Sequence, residues 1–310
     1  NARWGSLYDA YFLSDINPDI DKDSQRRQRL RMVVDATNQF LDQHVVSWEN
    51  GVSFGDVSRY SVNMNQDGKY NLLGTTWNGL EVSLLDQDKF IGFNWNQDGS
   101  LSDFLLRDNG LCIQCQLYEG GNVDAENGQF KDLIVESAVT NIIDFEDAVS
   151  IVDVDDMVIG LRNYLQLIKG NLQAYGSRGN PKAINSDKVY TDINGVEQAL
   201  KGTCLMSVRN VSLHMYTDVV KVNELEIPER FLGLLLTTFI AAKHDRGSNG
   251  EEIEGVTGSQ KMPVRAPNSS KGFVYQVTPK LHTSEEVAEQ IKLFESIENH
   301  LGIENGKILI

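Results

Sequence analysis

Short hydrophobic segments that alternate with polar residues dominate the first half of the chain. Between residues 50 and 120 the alternation is interrupted by two turns of sequence NQDG, at residues 65–68 and 96–99, and by Asn-Gly at residues 109–110. Turns of this kind between alternating segments are typical of β-hairpins. The pattern therefore predicts a mainly antiparallel sheet, preceded by a helix over residues 24–44.

From residue 131 onward, the hydrophobic residues follow helical spacing or form short continuous runs. Residues 131–139 are predicted to form a helix that leads into a buried strand over residues 140–144. The next helix is expected to begin at a cap formed by Asp155 or Asp156. Its apolar residues follow helical spacing and are Val158, Leu161, Leu165, Ile168 and Leu172.

Strands and helices continue to alternate toward the last residues. Strands are predicted at residues 203–208, 272–277 and 307–310, and a capping box at residues 283–286 begins a helix that ends at Gly302. This alternation is typical of parallel βαβ units. In a βα barrel, the carboxyl ends of such strands form the active face.

Acidic residues outnumber basic residues by 44 to 28, which gives a formal net charge of −16. Because nucleic-acid binding requires clustered Lys and Arg, this balance argues against nucleic acid as the main partner. One basic cluster lies in the first predicted helix and is interpreted as a solvated helix face. It comprises Arg26, Arg27, Arg29 and Arg31.

The sequence predicts neither a membrane span nor a cysteine-based site. The apolar segment at residues 231–242 is shorter than the ~20 residues that cross a bilayer and is expected to form a buried helix. Three cysteines, Cys112, Cys115 and Cys204, make no disulfide framework, which favours a cytoplasmic location. The CxxC spacing at Cys112 falls in a predicted strand, where residues three apart point to opposite faces.

Charged residues stand at the ends of two predicted strands. Asp144 and Glu146 lie two residues apart, so both side chains can point the same way and suit Mg²⁺, directly or through its bound water. A solvated acidic cluster that caps the next helix is the alternative. Arg209 follows the strand at residues 203–208 and is suited to clamp a carboxylate and stabilise an oxyanion. Pairing with a neighbouring acid is the alternative for this arginine.

Four segments resemble malate synthase, specifically its long G isoform. They are residues 1–10 (NARWGSLYDA), 142–149 (IIDFEDAV), 208–211 (VRNV) and 274–282 (VYQVTPKLH). They occur in the family's order and span the chain. The resemblance implies an acyltransferase that condenses acetyl-CoA with glyoxylate to give malate and CoA, uses Mg²⁺, serves the glyoxylate cycle and is monomeric at full length.

The resemblance also implies roles for particular residues. Arg209 would bind glyoxylate and stabilise the oxyanion, and Asp144 and Glu146 would contact the waters of the metal. Ala148 stands where the family usually has a serine that contacts acetyl-CoA. Lys182 stands where the family has an arginine that meets the CoA phosphates, and it retains the charge without the planar fork.

The fold implied by the resemblance is α/β: part of a (β/α)₈ TIM barrel with a two-piece, mainly antiparallel α/β domain inserted. Residues 1–135 and 170–203 would form the inserted domain, and residues 136–169 and 204–310 the barrel segments. In the family, the direct Mg²⁺ ligands and the catalytic base follow the strand at which this sequence reaches Ile310. The 310 residues alone are therefore expected to show no turnover. A non-catalytic structural or interaction fragment and another CoA-dependent barrel lyase are the alternatives.

Overall fold

The computed structural model describes residues 3–15, 25–121, 130–146, 151–175, 179, 181–244, 268–269 and 271–309. The helices are α1 Leu7–Leu13, α2 Arg26–His44, α3 Val154–Ile168, α4 Glu229–His244 and α5 Ser284–Leu301. The strands are β1 Trp4–Ser6, β2 Val57–Met64, β3 Tyr70–Thr76, β4 Glu81–Ser83, β5 Phe90–Trp95, β6 Leu101–Asp108, β7 Leu111–Gln116, β8 Asp132–Glu136, β9 Thr140–Asp144, β10 Gln173–Tyr175, β11 Pro181–Ala183, β12 Lys188–Asp192, β13 Glu197–Leu200, β14 Leu205–Arg209, β15 Tyr216–Val222, β16 Leu225–Pro228, β17 Val274–Val277 and β18 Ile308–Leu309.

The chain forms two compact units, each built from separate stretches of sequence. Residues 2–137 and 188–200 make one unit, here called the antiparallel unit, and residues 138–187 and 201–310 make the other, the parallel unit. The sequence placed the corresponding boundaries after residues 135, 169 and 203. The assignment of these stretches to an inserted domain and a barrel stays a prediction.

The antiparallel unit contains a sheet of order β1-β8-β7-β6-β5-β12-β13 and a smaller sheet of order β2-β3-β4. The predicted turns are confirmed: residues 65–68 join β2 to β3, residues 96–99 join β5 to β6, and residues 109–110 join β6 to β7. Asn109 and Gly110 have φ angles of 47° and 80°, as the tight mirror-image turn of a hairpin requires. The core of this unit is rich in aromatic residues, including Trp48, Phe54, Tyr60, Phe93, Phe104 and Phe130.

Strand β12 joins the antiparallel unit beside β5, although more than ninety residues separate them in sequence. Thr191 is in register with Phe93, and Asp192 with Gly92. The backbones approach so closely that a Cβ atom at Gly92 would lie 2.3 Å from the carbonyl oxygen of Thr191. A glycine is therefore required at this crossing.

The prediction of a helix over residues 131–139 is wrong, because β8 occupies Asp132–Glu136. This strand pairs with β1 on one side and β7 on the other. Leu133 is fully buried, and the Ile-Val pair that follows suits a pleated, half-buried surface. Pairing with strands distant in sequence therefore outweighs the local helical pattern.

Two further sequence expectations need correction. The cap of α3 is Asp153, whose side chain accepts a hydrogen bond of 2.9 Å from the N–H of Asp156, so Asp155 and Asp156 lie in the first helical turn. Arg29 is not on a solvated face: it is 2% exposed and donates to the carbonyl oxygens of Phe12 and Ser14. Arg29, near the start of α2, thereby connects this helix to the last residues of α1 and the residue after it.

The parallel unit contains a sheet of order β18-β17-β14-β9 in which all neighbouring strands run parallel. The predicted strand at residues 140–144 and those after residues 203, 272 and 307 are confirmed. The expected burial of the first of them is wrong: β9 lies at the edge of the sheet, and its residues are exposed or half-buried. Helix α5 begins at the predicted cap, where Thr283 accepts from the N–H of Glu286, and ends at Gly302 with a φ of 66°. The fold is thus mixed α/β with several sheets, and closure of the parallel strands into a barrel stays a prediction.

Side chains from α4 and α5 cover the parallel sheet and form its core. The packed residues include Leu234, Val274, Phe294, Ile297 and Ile308, and α3 contributes a smaller cluster of Tyr164 and Ile168 against Val208. Among the described residues, no helix has both the length and the apolar character needed to cross a membrane.

Candidate functional site

The parallel pairing of β9 and β14 brings Arg209 beside Asp144 at the carboxyl ends of both strands. The Nε of Arg209 donates a 3.0 Å hydrogen bond to Oδ1 of Asp144, and Nη2 donates to Oδ2. The guanidinium is therefore held in a two-point fork. These hydrogen bonds keep the pKa of the Asp144 carboxyl group below its ordinary value. The sequence left two roles open for Arg209. The structure shows the pairing with a neighbouring acid, Asp144.

Glu146 lies behind this pair and is buried, with a side chain only 3% exposed. Its backbone N–H donates to Oδ1 of Asp144 at 2.9 Å, which fixes the turn after β9. Within the described part of the chain, neither carboxylate oxygen of Glu146 has a hydrogen-bond partner. A buried carboxylate of this kind is costly unless nearby charge compensates for it.

The compensating charge comes from two cations, one at the end of β14 and one in the loop after β17. The Nζ of Lys280 lies 3.1 Å from Oε1 of Glu146, and the Nε of Arg209 lies 3.9 Å from Oε2. Both contacts with Glu146 are ion pairs, and neither has the geometry of a hydrogen bond. Sequence reasoning did not select Lys280. Its position shortly after a predicted strand, in the segment Thr278-Pro279-Lys280, was the available signal.

A third cation, Arg230, is buried beneath the same edge of the sheet and is 1% exposed. It donates to the carbonyl oxygen of Val211 at 2.9 Å, to that of Pro279 at 3.1 Å and to Oε1 of Gln290 at 2.9 Å. Burial lowers the pKa of Arg230, and the negative charge of Glu146 opposes that shift. Arg230 thus ties the loop after β14 to the loop after β17.

A buried amide network supports the residue next to Arg209. Nδ2 of Asn210 donates to Gln276 at 3.0 Å and to Thr237 at 3.1 Å, and Nε2 of Gln276 donates to Thr237 and Thr238. A Cβ atom at Gly233 would lie 2.7 Å from Oδ1 of Asn210. The network joins the end of β14, which carries the arginine, to α4.

The other residues selected from the sequence are not brought into this cluster. Lys182 is exposed on β11, where it pairs with Ala174 of β10. Ala148 lies outside the described residues. Among the residues that the structure describes, no three His, Cys, Asp or Glu side chains are arranged to hold a metal ion. Of the acids that the sequence selected, Asp144 and Glu146 lie at this edge, and with the other described residues they do not form a complete metal-ligand set.

The fold and the site define a mixed α/β protein that carries a charged cluster at the carboxyl ends of its parallel strands, the usual place for ligand sites in such sheets. Comparison with known proteins finds similarity to malate synthase G over the whole chain. Malate synthase G of Halalkalibacterium halodurans is 35% identical over 319 aligned residues, which cover 100% of this chain and 41% of that protein. Malate synthase G of Corynebacterium efficiens is 35% identical over 311 residues, and that of Corynebacterium glutamicum is 33% identical over 314 residues.

The alignments with the two Corynebacterium proteins cover 98% of this chain. They cover 38% of the C. efficiens protein and 39% of the C. glutamicum protein. The resemblance to malate synthase G is therefore confirmed, and this chain corresponds to about two fifths of the length of the curated relatives it matches. No protein-family model matches the chain.

Proposed function

We propose that this chain forms the glyoxylate-binding part of a malate synthase, an acyltransferase that condenses acetyl-CoA with glyoxylate to give malate and CoA. The observation that carries the proposal is the Arg209–Asp144 fork at the ends of two adjacent parallel strands. The similarity to malate synthase G over the whole chain supports it. In this proposal, the four parallel strands belong to a (β/α)₈ barrel, and the antiparallel unit is the two-piece inserted domain.

The proposed chemistry assigns a defined role to Arg209. The enolate of acetyl-CoA attacks the aldehyde carbon of glyoxylate, and negative charge develops on the aldehyde oxygen. A guanidinium held in advance by Asp144 can donate to the substrate carboxylate and to this developing oxyanion without reorganising. Hydrolysis of the resulting thioester then releases malate and CoA.

Magnesium fits this edge of the sheet through its bound waters. The two oxygens of Glu146 are buried and accept no hydrogen bond within the described part of the chain, so they suit donors such as metal-bound water. Asp144 is already engaged by Arg209 and is suited to a supporting contact. When bound, Mg²⁺ would polarise the aldehyde carbonyl of glyoxylate.

We infer that Lys182 and Ala148 belong to the acetyl-CoA site. Lys182 is exposed and carries the positive charge that a CoA phosphate needs, and Ala148 stands where the resemblance implies a contact with acetyl-CoA. The proposed enzyme serves the glyoxylate cycle in the cytoplasm and acts as a monomer, without nucleic-acid or membrane partners.

Calorimetry with 2-oxo acids tests this proposal against its alternatives. The chain is expected to bind glyoxylate in preference to pyruvate. A preference for pyruvate would favour another CoA-dependent lyase. If neither acid binds with or without Mg²⁺, the chain is a non-catalytic fragment and the proposal is wrong.

A further inference from the structure

We propose that Lys280 is a second substrate-binding cation at this site, which acts with Arg209 on the carboxylate of the 2-oxo acid. The inference rests on the proposed function and extends it, since the resemblance assigns the substrate anion to Arg209 alone. It is carried by the ion-pair geometry around Glu146, the backbone conformation of Lys280 and the contacts of Arg230.

The exposure of the charged groups shows which of them an incoming anion would meet. The side chains of Lys280 and Arg209 are 43% and 31% exposed, whereas that of Glu146 is 3% exposed. The Glu146 carboxylate therefore lies beneath the ammonium group of Lys280 and the guanidinium group of Arg209. It holds both groups toward the same edge of the sheet. An anion that arrives from solvent would meet the two cations first.

The backbone of Lys280 is held in a conformation that a lysine rarely adopts. Its φ angle is 58°, in the left-handed region that favours glycine. Such strain persists where the surrounding structure imposes it, and it is concentrated at functional sites. At this position the preceding residue, Pro279, has its carbonyl oxygen held by Arg230 at 3.1 Å. Arg230 therefore acts as a positioning residue for the lysine.

Two cationic groups converge at this edge of the sheet. Asp144 accepts the fork from Arg209, and Glu146 lies against Lys280 and interacts with the buried Arg230. Arg209 and Lys280 thus present positive charge at this edge, in a chain whose formal net charge is −16. A carboxylate ligand at this edge would meet both groups.

The test is a glyoxylate titration of the 310-residue chain, followed by NMR shifts, with Lys280→Met, Lys280→Arg, Arg209→Met and Lys292→Met variants. Methionine keeps a similar length and the same backbone strain but removes the charge. Lys292 is an exposed lysine paired with Glu289 on α5 and gives the matched control. We expect Lys280→Met to weaken glyoxylate binding roughly tenfold, Lys280→Arg to restore most of it, and Lys292→Met to leave it unchanged.

The outcomes distinguish a failure of the role proposed for Lys280 from a failure of the proposed function. If Lys280→Met binds as tightly as the unaltered chain while Arg209→Met does not, the role of Lys280 is wrong and the proposed function stands. If the unaltered chain shows no binding of glyoxylate, both are overturned. Melting temperatures of all variants identify any loss of fold. Should Lys280→Met not fold, Lys280→Gln, which keeps a donor without the charge, is measured in its place with the same expected loss.

Discussion

The pair of Arg209 and Asp144 sets the electrostatics of the site at the scale of single residues. Two hydrogen bonds from one guanidinium orient the arginine and stabilise the ionised carboxylate. The same contacts lower the pKa of Asp144, with the side-chain hydrogen bond as the largest cause. The carboxylate is thus maintained in the charged form that keeps the arginine in place.

Replacing Arg209 with methionine is expected to raise the pKa of Asp144 toward its ordinary value. A carboxyl group with a depressed pKa in the folded state contributes stability above its unfolded pKa of about 3.9, and loses it as pH falls through the folded value. The variant should therefore lose less stability than the unaltered chain on acidification in this range. Carbon-13 NMR of the aspartate carboxyl groups measures the pKa directly.

The matched control for that measurement is Arg162→Met, which removes an exposed arginine of α3. It should leave the titration of Asp144 unchanged. An equal upward shift in both variants would mean that general loss of positive charge, and not the fork, sets the pKa.

Site residues at the ends of strands could be predicted from the sequence. Site residues that meet through loop contacts could not. Asp144, Glu146 and Arg209 follow apolar strand segments, so their meeting follows from parallel pairing. Arg230 lies at the start of α4, where nothing local indicates that it reaches the Pro279 carbonyl. Lys280 depends on that same contact, which arises only once the loops have folded together.

Among the elements, the turn between α5 and β18 depends on one buried carboxylate. Glu298 is 1% exposed and accepts from the N–H groups of Gly306, Lys307 and Ile308 at 2.9, 2.7 and 2.7 Å. Three charge-assisted hydrogen bonds to successive amides fix the start of the edge strand. This carboxylate therefore connects the last helix to the parallel sheet.

Glu298→Gln should lower the free energy of unfolding by about 1–3 kcal/mol, because the amide group cannot accept from all three donors. Urea unfolding followed by circular dichroism measures the change. Glu295→Gln, an exposed substitution on the same helix, is the control and should have little effect. Equal destabilisation by both would show that charge on α5, and not the capture of the turn, is responsible.

The crossing of β5 and β12 gives a second test at this scale. Gly92→Ala would place a methyl group against the Thr191 carbonyl oxygen and should lower the free energy of unfolding by about 1–3 kcal/mol. Gly55→Ala is the control, because its Cβ would meet the nearest atoms at an ordinary 3.5 Å. If the two variants are equally stable in urea, the backbones at Gly92 can separate and the close approach is not required.

Elements defined by local chemistry were predicted well, and those defined by distant pairing were not. The NQDG and Asn-Gly turns contain residues that favour hairpins, and the cap and Gly302 delimit α5. Strand β8 was mistaken for a helix because its partners β1 and β7 determine its conformation. The cap of α3 was misplaced because three acids stand close together, Asp153, Asp155 and Asp156, and each is a candidate for the same role.

At the scale of the whole molecule, the chain combines a large negative charge with a group of cations at one edge of its parallel sheet. The formal net charge is −16, so an anion is repelled on average and can bind only where cations converge. The described residues place Arg209, Lys280 and Arg230 around one edge of the parallel sheet. In the proposed function, Arg209 and Lys280 are the groups that bind the carboxylate of the substrate.

The central claim is that Arg209 binds the carboxylate of glyoxylate, and the most direct measurement is a calorimetric titration of the unaltered chain and two arginine variants. The unaltered chain and Arg162→Met should bind glyoxylate with equal affinity. Arg209→Met should bind at least roughly tenfold more weakly, because a charge-assisted, two-point contact is lost. Equal glyoxylate affinity in all three proteins would contradict the claim.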